Sequence, residues 1–299
     1  PGADQGAGFA ELADAVSAAA GGFRICVFAY GQTGSGKTYT MNGTKDDRGV
    51  TYRSIEVLLD TVRAAETAGA RTTVTVSALE VYNETIRDLL STNSTPNPGG
   101  LAIRSRKDGV FVEGLSERCV ESTSDFERLM DDAAASRATA CNGVNGASSR
   151  SHLVVRARVE TALTADGRTA VATGHLNLID LAGSERLKAT CAAGDRRREA
   201  QHINRSLSAL GDVMAALGNG SRHVPYRNSK LTFLLQDALR SNAAAFMFVN
   251  IDPSPASAAE SLCSLHFASR CRAVRLGAAR ADPSSSAATA GRKHERTPA

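Results

Sequence analysis

The chain has no apolar run long enough to cross a membrane and no signal peptide, so we expect neither a membrane protein nor a secreted one. It also has no C-x-x-C pair, and its cysteines show no metal-ligand spacing. Several cysteines fall within apolar or helical segments, which predicts free, buried thiols in a reducing cytosol. The cysteines are Cys26, Cys119, Cys141, Cys191, Cys263 and Cys271.

Lysine is scarce in this sequence, and arginine carries most of the positive charge. The net charge of +4 is too small to argue by itself for a polyanionic partner. With 299 residues, 42% of them hydrophobic, the chain can bury a sizeable core. We expect one domain over residues 1–280. The Ala-, Ser- and Pro-rich composition that follows predicts a disordered tail over residues 281–299.

What the sequence does contain is a phosphate-binding pattern, "GQTGSGKT", directly after the apolar run Ile25–Tyr30. The run predicts a short buried strand, and the spacing fits G-x-x-x-x-G-K-[ST]. Glycines let successive N–H groups converge on an anion, Lys37 supplies a charge for the outer phosphates, and Thr38 offers a hydroxyl to Mg²⁺. The alternative is a flexible glycine-rich surface loop, which the full spacing and the preceding strand disfavour. The predicted phosphate-binding residues are Gly31, Gln32, Thr33, Gly34, Ser35, Gly36, Lys37 and Thr38.

Two further polar segments suit the same chemistry. In "NLIDLAGSE", Asp180 ends an apolar strand, where an acidic Mg²⁺ ligand is expected, and Gly183 can bring a backbone N–H to the γ-phosphate. Glu185 follows within reach of the same loop. In "SSRSH", residues 148–152, two hydroxyls and an arginine suit Mg²⁺ and phosphate oxygens. The alternative for this second segment is an ordinary serine-rich turn before a strand.

Apolar and polar residues alternate with the periods of helices and strands along the chain. Helical spacing is present in Phe9–Ala20 and Glu199–Leu217, and the apolar stripe from Ile203 to Leu217 is expected to face the core. Capping patterns occur at Ser124 with Glu127 and at Ser257 with Glu260. Predicted strands are Ile25–Tyr30, "TTVTVSALEVY", "LVVRARVETA", "HLNLIDLAG" and "FMFVNIDP". Strands that alternate with helices around a phosphate loop predict a three-layer α/β domain.

Five segments resemble the kinesin motor domain in order and spacing: "FAYGQTGSGKTYTM", "NGASSRSH", "LIDLAGSER", "INRSLSALGDV" and "VPYRNSKLTFLLQDAL". The resemblance runs from about Phe9 to Arg280. It implies a three-layer P-loop NTPase fold, in which helices flank a central β-sheet. It also implies a microtubule-stimulated ATPase that uses ATP and Mg²⁺ in the cytoplasm, on the microtubule cytoskeleton and the spindle.

The resemblance also implies roles for individual residues. Switch I comprises Asn145, Ser148, Ser149 and Arg150, and switch II comprises Asp180, Gly183 and Glu185. Ser149 would join Thr38 at the Mg²⁺, and Asp180 would reach the metal through water. Arg150 and Glu185 would pair when ATP is bound, and Glu185 would belong to the proton relay to the attacking water.

The ending "SLHFASRCRAVRLGAARA" looks most like the kinesin-14 branch, which implies minus-end movement and a homodimer formed by a coiled-coil neck outside this chain. The family's first strand, with its Arg-x-Arg-Pro, has no counterpart. We therefore expect an N-terminally incomplete domain with an altered adenine pocket.

Basic residues cluster around the helix Glu199–Leu217 and in "YRNSKLT". Tubulin's surface is acidic, so the resemblance implies that this cluster meets the microtubule, while the alternative is a solvated basic face without a partner. An enzyme acting on nucleic acid is disfavoured because no helicase or RNA-binding signature is present. A GTPase is disfavoured because the chain has no N-K-x-D guanine-binding motif. A non-catalytic microtubule-binding module remains an alternative function. The predicted microtubule contacts are Arg186, Lys188, Arg196, Arg197, Arg198, Arg227 and Lys230.

Overall fold

A computed structural model describes residues 5–92, 99–106, 109–140, 147–165, 168–185, 195–240, 243–274, 276 and 281. Only the backbone is described for residues 140, 147, 148, 165 and 195–201. The predictions for Asn145, Arg186 and Lys188, and for the tail from residue 282 onward, therefore lie outside the described residues.

The strands and helices predicted from the sequence occur in the predicted order, although the strands between residues 71 and 119 follow one another without an intervening helix. The strands are β1 (Arg24–Tyr30), β2 (Arg71–Tyr82), β3 (Thr85–Asp88), β4 (Ile103–Arg106), β5 (Gly109–Val112), β6 (Arg118–Cys119), β7 (His152–Ala165), β8 (Arg168–Asp180) and β9 (Ala243–Val249). The helices are α1 (Gln5–Ala18), α2 (Lys37–Asn42), α3 (Val50–Thr67), α4 (Thr123–Ala140), α5 (Ala147–Arg150), α6 (Asp195–Gly218), α7 (Lys230–Leu234) and α8 (Ala258–Arg272). Single 3₁₀ turns occur at Ala19–Gly21, Tyr226–Asn228, Asp237–Leu239 and Pro255–Ser257.

The central sheet has the strand order β3-β2-β7-β8-β1-β9, with β6 paired to β2. Strand β1 pairs in parallel with β8 and β9, whereas β7 runs antiparallel to both β2 and β8. The carboxyl ends of β1, β8 and β9 therefore lie at one end of the sheet, where ligands bind in open α/β folds. Strands β4 and β5 form a separate hairpin.

Two apolar cores cover the two faces of the sheet, because alternate residues of each strand point to opposite sides. Ile25, Val27 and Ala29 of β1 belong to the core beneath α1, α3 and α4. Cys26 and Phe28 belong to the other core, which contains residues of α6, α7, α8 and the β4–β5 hairpin. This arrangement confirms the three-layer α/β prediction, and it explains why β1 is apolar throughout rather than alternating.

Helix α6 carries the predicted apolar stripe into the second core. Leu207, Leu210, Val213 and Met214 are all buried there. Their spacing of three and four residues places them on one side of the helix, as predicted, and leaves its other side away from the sheet.

Three sequence predictions about local features are wrong. Helix α4 is capped by Ser122 with Asp125, whose side chains bond each other's backbone N–H groups, and not by Ser124 with Glu127. Ser257 precedes α8 but makes no side-chain cap; its hydroxyl instead accepts from Gln32 and donates to Asp252. Two of the cysteines expected to be buried, Cys119 and Cys263, are exposed, although the described cysteines are free.

Among the described helices, none combines the length and apolar character that a bilayer crossing needs.

Candidate phosphate-loop site

The phosphate loop joins the carboxyl end of β1 to α2, and two of its glycines are required by geometry. Gly31 has φ 152°, and a Cβ there would lie 2.1 Å from the carbonyl oxygen of Asn250. Gly36, at the N-terminal cap of α2, has φ 96°, a left-handed conformation that other residues rarely adopt. The loop can therefore turn tightly against the end of β9 and direct its backbone toward a bound anion.

Lys37 is buried inside this loop. Its Nζ donates hydrogen bonds to the carbonyl oxygens of Gly31 at 2.9 Å and Gln32 at 2.8 Å. Burial lowers the pKa of Lys37, while the carboxylates of Asp180 and Glu185 act in the opposite direction. The ammonium group is thus fixed where a phosphate chain would lie, with backbone carbonyls as its present partners.

Thr38 and Asp180 form the candidate metal site. The Thr38 hydroxyl donates to Asp180 Oδ2 at 2.7 Å, and Asp180 Oδ1 is buried without a hydrogen-bond partner. Burial raises the pKa of Asp180, opposed by the Thr38 hydrogen bond and by the charges of Lys37 and Arg137. A hydroxyl beside a carboxylate with a spare oxygen offers the hard oxygen ligands that Mg²⁺ prefers, so these residues fit the metal.

The two switch segments meet at the loop. Gly183 N–H donates to the Ser149 carbonyl at 2.9 Å, and Ser184 N–H donates to the Gly31 carbonyl at 3.0 Å. Glu185 accepts from Thr33 N–H at 2.8 Å and from its hydroxyl at 2.5 Å. The Glu185 carboxylate thus contacts the phosphate loop here, and its pairing with Arg150 in the ATP-bound state stays a prediction. Of Ser148, only the backbone, in α5, is described.

The segment after β9 supports the loop from the other side and was not predicted. Asn250 N–H donates to the Tyr30 carbonyl at 2.8 Å, and its side-chain amide donates to Thr40 at 2.8 Å. Gln32 donates to the Ser257 hydroxyl at 2.8 Å. The oxygens Gln32 Oε1 and Asn250 Oδ1 are buried without partners. Polar residues directly after the apolar strand, in "NIDPS", are the sequence signal that could have indicated this support.

His152 is a second residue that sequence reasoning left without a role. Its Nδ1 accepts from Ala182 N–H at 3.0 Å, and its Nε2 lies 2.8 Å from the Ser206 hydroxyl in α6. Burial lowers the pKa of His152 to about 3, with the charges of Arg137 and Lys37 in the same direction. The ring is therefore neutral, and because Nδ1 accepts, Nε2 carries the proton and donates to Ser206. One side chain thus joins switch II to helix α6.

A buried ion pair fixes the start of β7 beside switch I. Glu80 of β2 accepts from Arg137 Nε at 2.9 Å and from the Ser151 hydroxyl at 2.6 Å. Arg137 also donates to the Ser151 hydroxyl at 2.7 Å. Arg87 lies 3.7 Å from the other carboxylate oxygen of Glu80. Because Glu80 is almost fully buried, removing Arg137 would leave its charge with only the partly exposed Arg87 as counter-ion.

The predicted microtubule contacts are described only in part. Arg227 is exposed, and its guanidinium lies 5.0 Å from the centre of the Phe233 ring. Lys230 begins α7, and its backbone N–H donates to Glu84 at 2.9 Å. Arg196, Arg197 and Arg198 lie on the first turns of α6, where only the backbone is described.

The fold and the site define a P-loop NTPase-type α/β domain. The family model for the kinesin motor domain matches residues 2–274, and the chain belongs to this family of microtubule motor proteins. It is 47% identical over 91% of its length to the kinesin-like protein KIN-14R of Arabidopsis thaliana, and 44% identical over 93% to KIN-14M of the same plant. These relatives confirm the resemblance to the kinesin-14 branch.

Solved structures agree with this assignment. A KIF14 dimer in complex with a microtubule and AMP-PNP is 36% identical, with a TM-score of 0.85 over 94% of this chain and 80% of that one. The chain spans 25% of the length of KIN-14R and 39% of that of KIN-14M. The activities of such longer proteins are therefore proposals for this chain.

Proposed function

We propose that this chain is an ATP-hydrolysing motor domain that couples the nucleotide cycle to microtubule binding, with minus-end movement as in the kinesin-14 branch it resembles. The observation that carries the proposal is that switch II contacts both the phosphate loop and switch I: Ser184 N–H donates to the Gly31 carbonyl, and Gly183 N–H donates to the Ser149 carbonyl. An ATPase needs such segments because they detect the γ-phosphate and position the attacking water.

Lys37, Thr38 and Asp180 are proposed to hold ATP and its metal. Lys37 would exchange its two carbonyl partners for β- and γ-phosphate oxygens, which are stronger acceptors because they are charged. Thr38 and Ser149 would offer their hydroxyls to Mg²⁺, and Asp180 would hold a metal-bound water. When bound, the ion supplies positive charge that stabilises the developing charge on the phosphates.

Glu185 and Arg150 are proposed to complete the site when the γ-phosphate is present. Glu185 would then leave Thr33 for Arg150 and, as part of the proton relay, orient the attacking water. Gly183 would turn its N–H from Ser149 toward the γ-phosphate. A side chain at residue 183 would collide with Glu185 and Thr33, since a Cβ would lie 2.3 Å from an oxygen of each. Glycine at this position therefore permits the close approach.

Tyr39 is proposed to contact the adenine base. It lies in the first turn of α2, two residues after Lys37, and 47% of its surface is exposed. An exposed aromatic ring next to a phosphate loop offers a face on which a base can stack.

The microtubule is the proposed partner, through the basic cluster on α6 and around Arg227 and Lys230. In the related KIF14 structure, the partner is a microtubule. The link from His152 to Ser206 gives a route by which events at switch II reach α6. The proposal includes dimerisation through a neck outside this chain and a location on microtubules in the cytoplasm.

The experiment is a steady-state ATPase assay with and without microtubules, together with co-sedimentation. We expect turnover that microtubules stimulate. Arg227→Ala with Lys230→Ala should weaken co-sedimentation and flatten its salt dependence while ATP affinity stays unchanged, because exposed charges are screened over roughly 8 Å at physiological salt. The matched control is Arg63→Ala with Arg128→Ala, two exposed arginines on α3 and α4. Microtubule binding without any turnover would instead support a non-catalytic binding module.

A further inference from the structure

The far end of the sheet contains a cavity that the phosphate-loop site does not use. It has a volume of about 880 Å³ and lies between the β4–β5 hairpin, the amino end of β1 and the part of β8 that pairs with this end, at Thr173 and His175. It occupies the same face of the sheet as α6, because its lining residues have the strand parity of the second core. Arg24 lies two residues before Cys26 in β1, and Arg156 two residues after Val154 in β7.

Positive charge exceeds negative charge around this cavity. Among the described residues, five guanidinium groups line it against three carboxylates. Two of the carboxylates are engaged by Arg158, which contacts Glu117 at 2.9 Å and also contacts Glu160. The third, Asp237, accepts from Val110 N–H at 2.5 Å and lies 3.1 Å from Arg240 Nε. The acidic groups are therefore occupied by two of the five arginines and by the backbone.

Arg156 is one of the lining arginines that take no part in these ion pairs. Its Nε donates to Asn177 Oδ1 at 3.1 Å, and Asn177 in turn donates to the Ile25 carbonyl. In the described part of the chain, no carboxylate lies within ion-pair distance of its guanidinium. Burial lowers the pKa of Arg156, with Asp237 as the largest opposing charge. Arg156 lies in the middle of a sheet face, and Asn177 holds one edge of its guanidinium. The remaining N–H groups therefore face the cavity.

His175 lines the same cavity as these arginines. Burial lowers the pKa of this side chain to about 3, and Arg24, Arg156 and Arg158 lower it further. A neutral imidazole, the Arg156 fork and the hydroxyls of Ser77 and Thr75 therefore face one space. Val112 and Leu115 add an apolar wall, and the volume lies in the range of small-molecule sites.

We propose that this cavity binds a small anion with phosphate or carboxylate groups, anchored by the guanidinium of Arg156. The planar fork of arginine matches the oxygens of both groups and forms charge-assisted hydrogen bonds with them. The bound anion would supply the counter-charge that the lining lacks. The site lies at the opposite end of the strands from the phosphate loop and does not depend on the proposed motor function.

The test is calorimetric titration of the protein saturated with Mg²⁺–ADP, so that the phosphate loop is already filled. One arm uses pyrophosphate and the other citrate, each with a protein-free blank for metal chelation. We expect saturable binding of at least one probe, and the stronger probe identifies phosphate or carboxylate as the preferred chemistry. Arg156→Gln should weaken binding at least tenfold, and Arg63→Gln, an exposed arginine of α3, should leave it unchanged.

A second measurement protects the test against misfolding of the Arg156 variant. In the unaltered protein, the NMR signal of the His175 ring, assigned by its loss in His175→Gln, should shift when the probe is added at constant pH. Absence of binding by both probes, equal binding by Arg156→Gln, or a His175 signal that stays fixed while the probe binds would each overturn the proposal.

Discussion

At the carboxyl ends of β1 and β8, the polar groups belong mainly to the backbone and to short side chains, whereas at the amino ends they belong to arginines. The carboxyl end holds one lysine, one aspartate and a glycine loop whose N–H and carbonyl groups are close together. The amino end holds a cavity lined by long cationic side chains. The same parallel strands thus support two polar sites of different construction.

Two histidines show the difference in surroundings, although burial is the main cause that lowers the pKa of each to about 3. His152, at the carboxyl end, is enclosed and holds two hydrogen-bond partners in fixed positions. His175, at the amino end, is surrounded by three arginines. The first ring is held by two hydrogen bonds that join two segments, whereas the second ring is buried beside arginines that add to the effect of burial.

The largest expected effect is loss of nucleotide binding at the phosphate loop, at the carboxyl end of β1. Lys37→Ala should weaken Mg²⁺–ATP affinity by roughly 10³-fold or more, because two charge-assisted contacts of about 1.5–3 kcal/mol each are removed. Binding of a fluorescent ATP analogue measures this directly. Lys45→Ala, at an exposed lysine nearby, is the control. Parent-like affinity in the Lys37 variant would show that the loop does not hold phosphate.

Next in size is the loss of hydrolysis without loss of binding. Glu185→Ala and Arg150→Ala should each lower microtubule-stimulated turnover by about 10²–10³-fold, the range typical when one positioned charge is removed from a reaction centre. Nucleotide affinity should change little. Turnover that survives either substitution within a few-fold would remove the pairing of these two residues from the mechanism.

A smaller effect is expected where His152 joins switch II to α6. His152→Asn, Ser206→Ala and the double variant form a cycle, measured as the ratio of microtubule-stimulated to basal ATPase. We expect each single change to lower this ratio by about tenfold and the double change to add little, since contacting residues couple by about 0.5–3 kcal/mol. Additive losses, or equal losses in basal ATPase and thermal stability, would indicate a purely structural role.

The smallest effect concerns pH. In the unfolded chain, His175 binds a proton at pH values below its usual pKa of about 6.5. In the folded protein, its pKa is about 3, so it stays neutral until the pH falls that far. The unfolded state therefore binds more protons in that window, and stability should fall as pH drops from about 6.5 toward 3. His175→Asn should reduce the slope of unfolding free energy against pH by about one proton. Denaturant titrations at pH 7, 6 and 5 measure the slope, and an unchanged slope would contradict the low pKa.

The phosphate-loop site at the carboxyl ends of β1 and β8 could be predicted from the sequence because its determinants are local. The apolar run of β1, the glycine spacing and Asp180 at a strand end each require a specific local backbone or a specific charge. The supports of the site could not be predicted, because they come from distant segments. Asn250 meets Gly31, and Ser257 meets Gln32, across more than 200 positions in the chain.

Local patterns also failed where two registers fitted equally well. Ser122 with Asp125 and Ser124 with Glu127 have the same spacing, and the structure shows the first pair bonded as the cap. The amino-end cavity gave no signal, since Arg24, Arg156 and His175 lie in three separate strands. Their meeting follows from sheet order and strand parity, which emerge only with the three-dimensional fold.

The sheet order also determines when the nucleotide site can form as the chain folds. Strands β7 and β8 are neighbours in sequence and can pair as a hairpin, whereas β1 must find His175 of β8 and Ala243 of β9 far along the chain. Contacts of such long sequence separation are slow to form because loop closure costs entropy. We therefore expect the phosphate loop, supported by Asn250 after β9, to be among the last parts of the domain to assemble. A nascent chain that has not yet extended past β9 would hold no nucleotide.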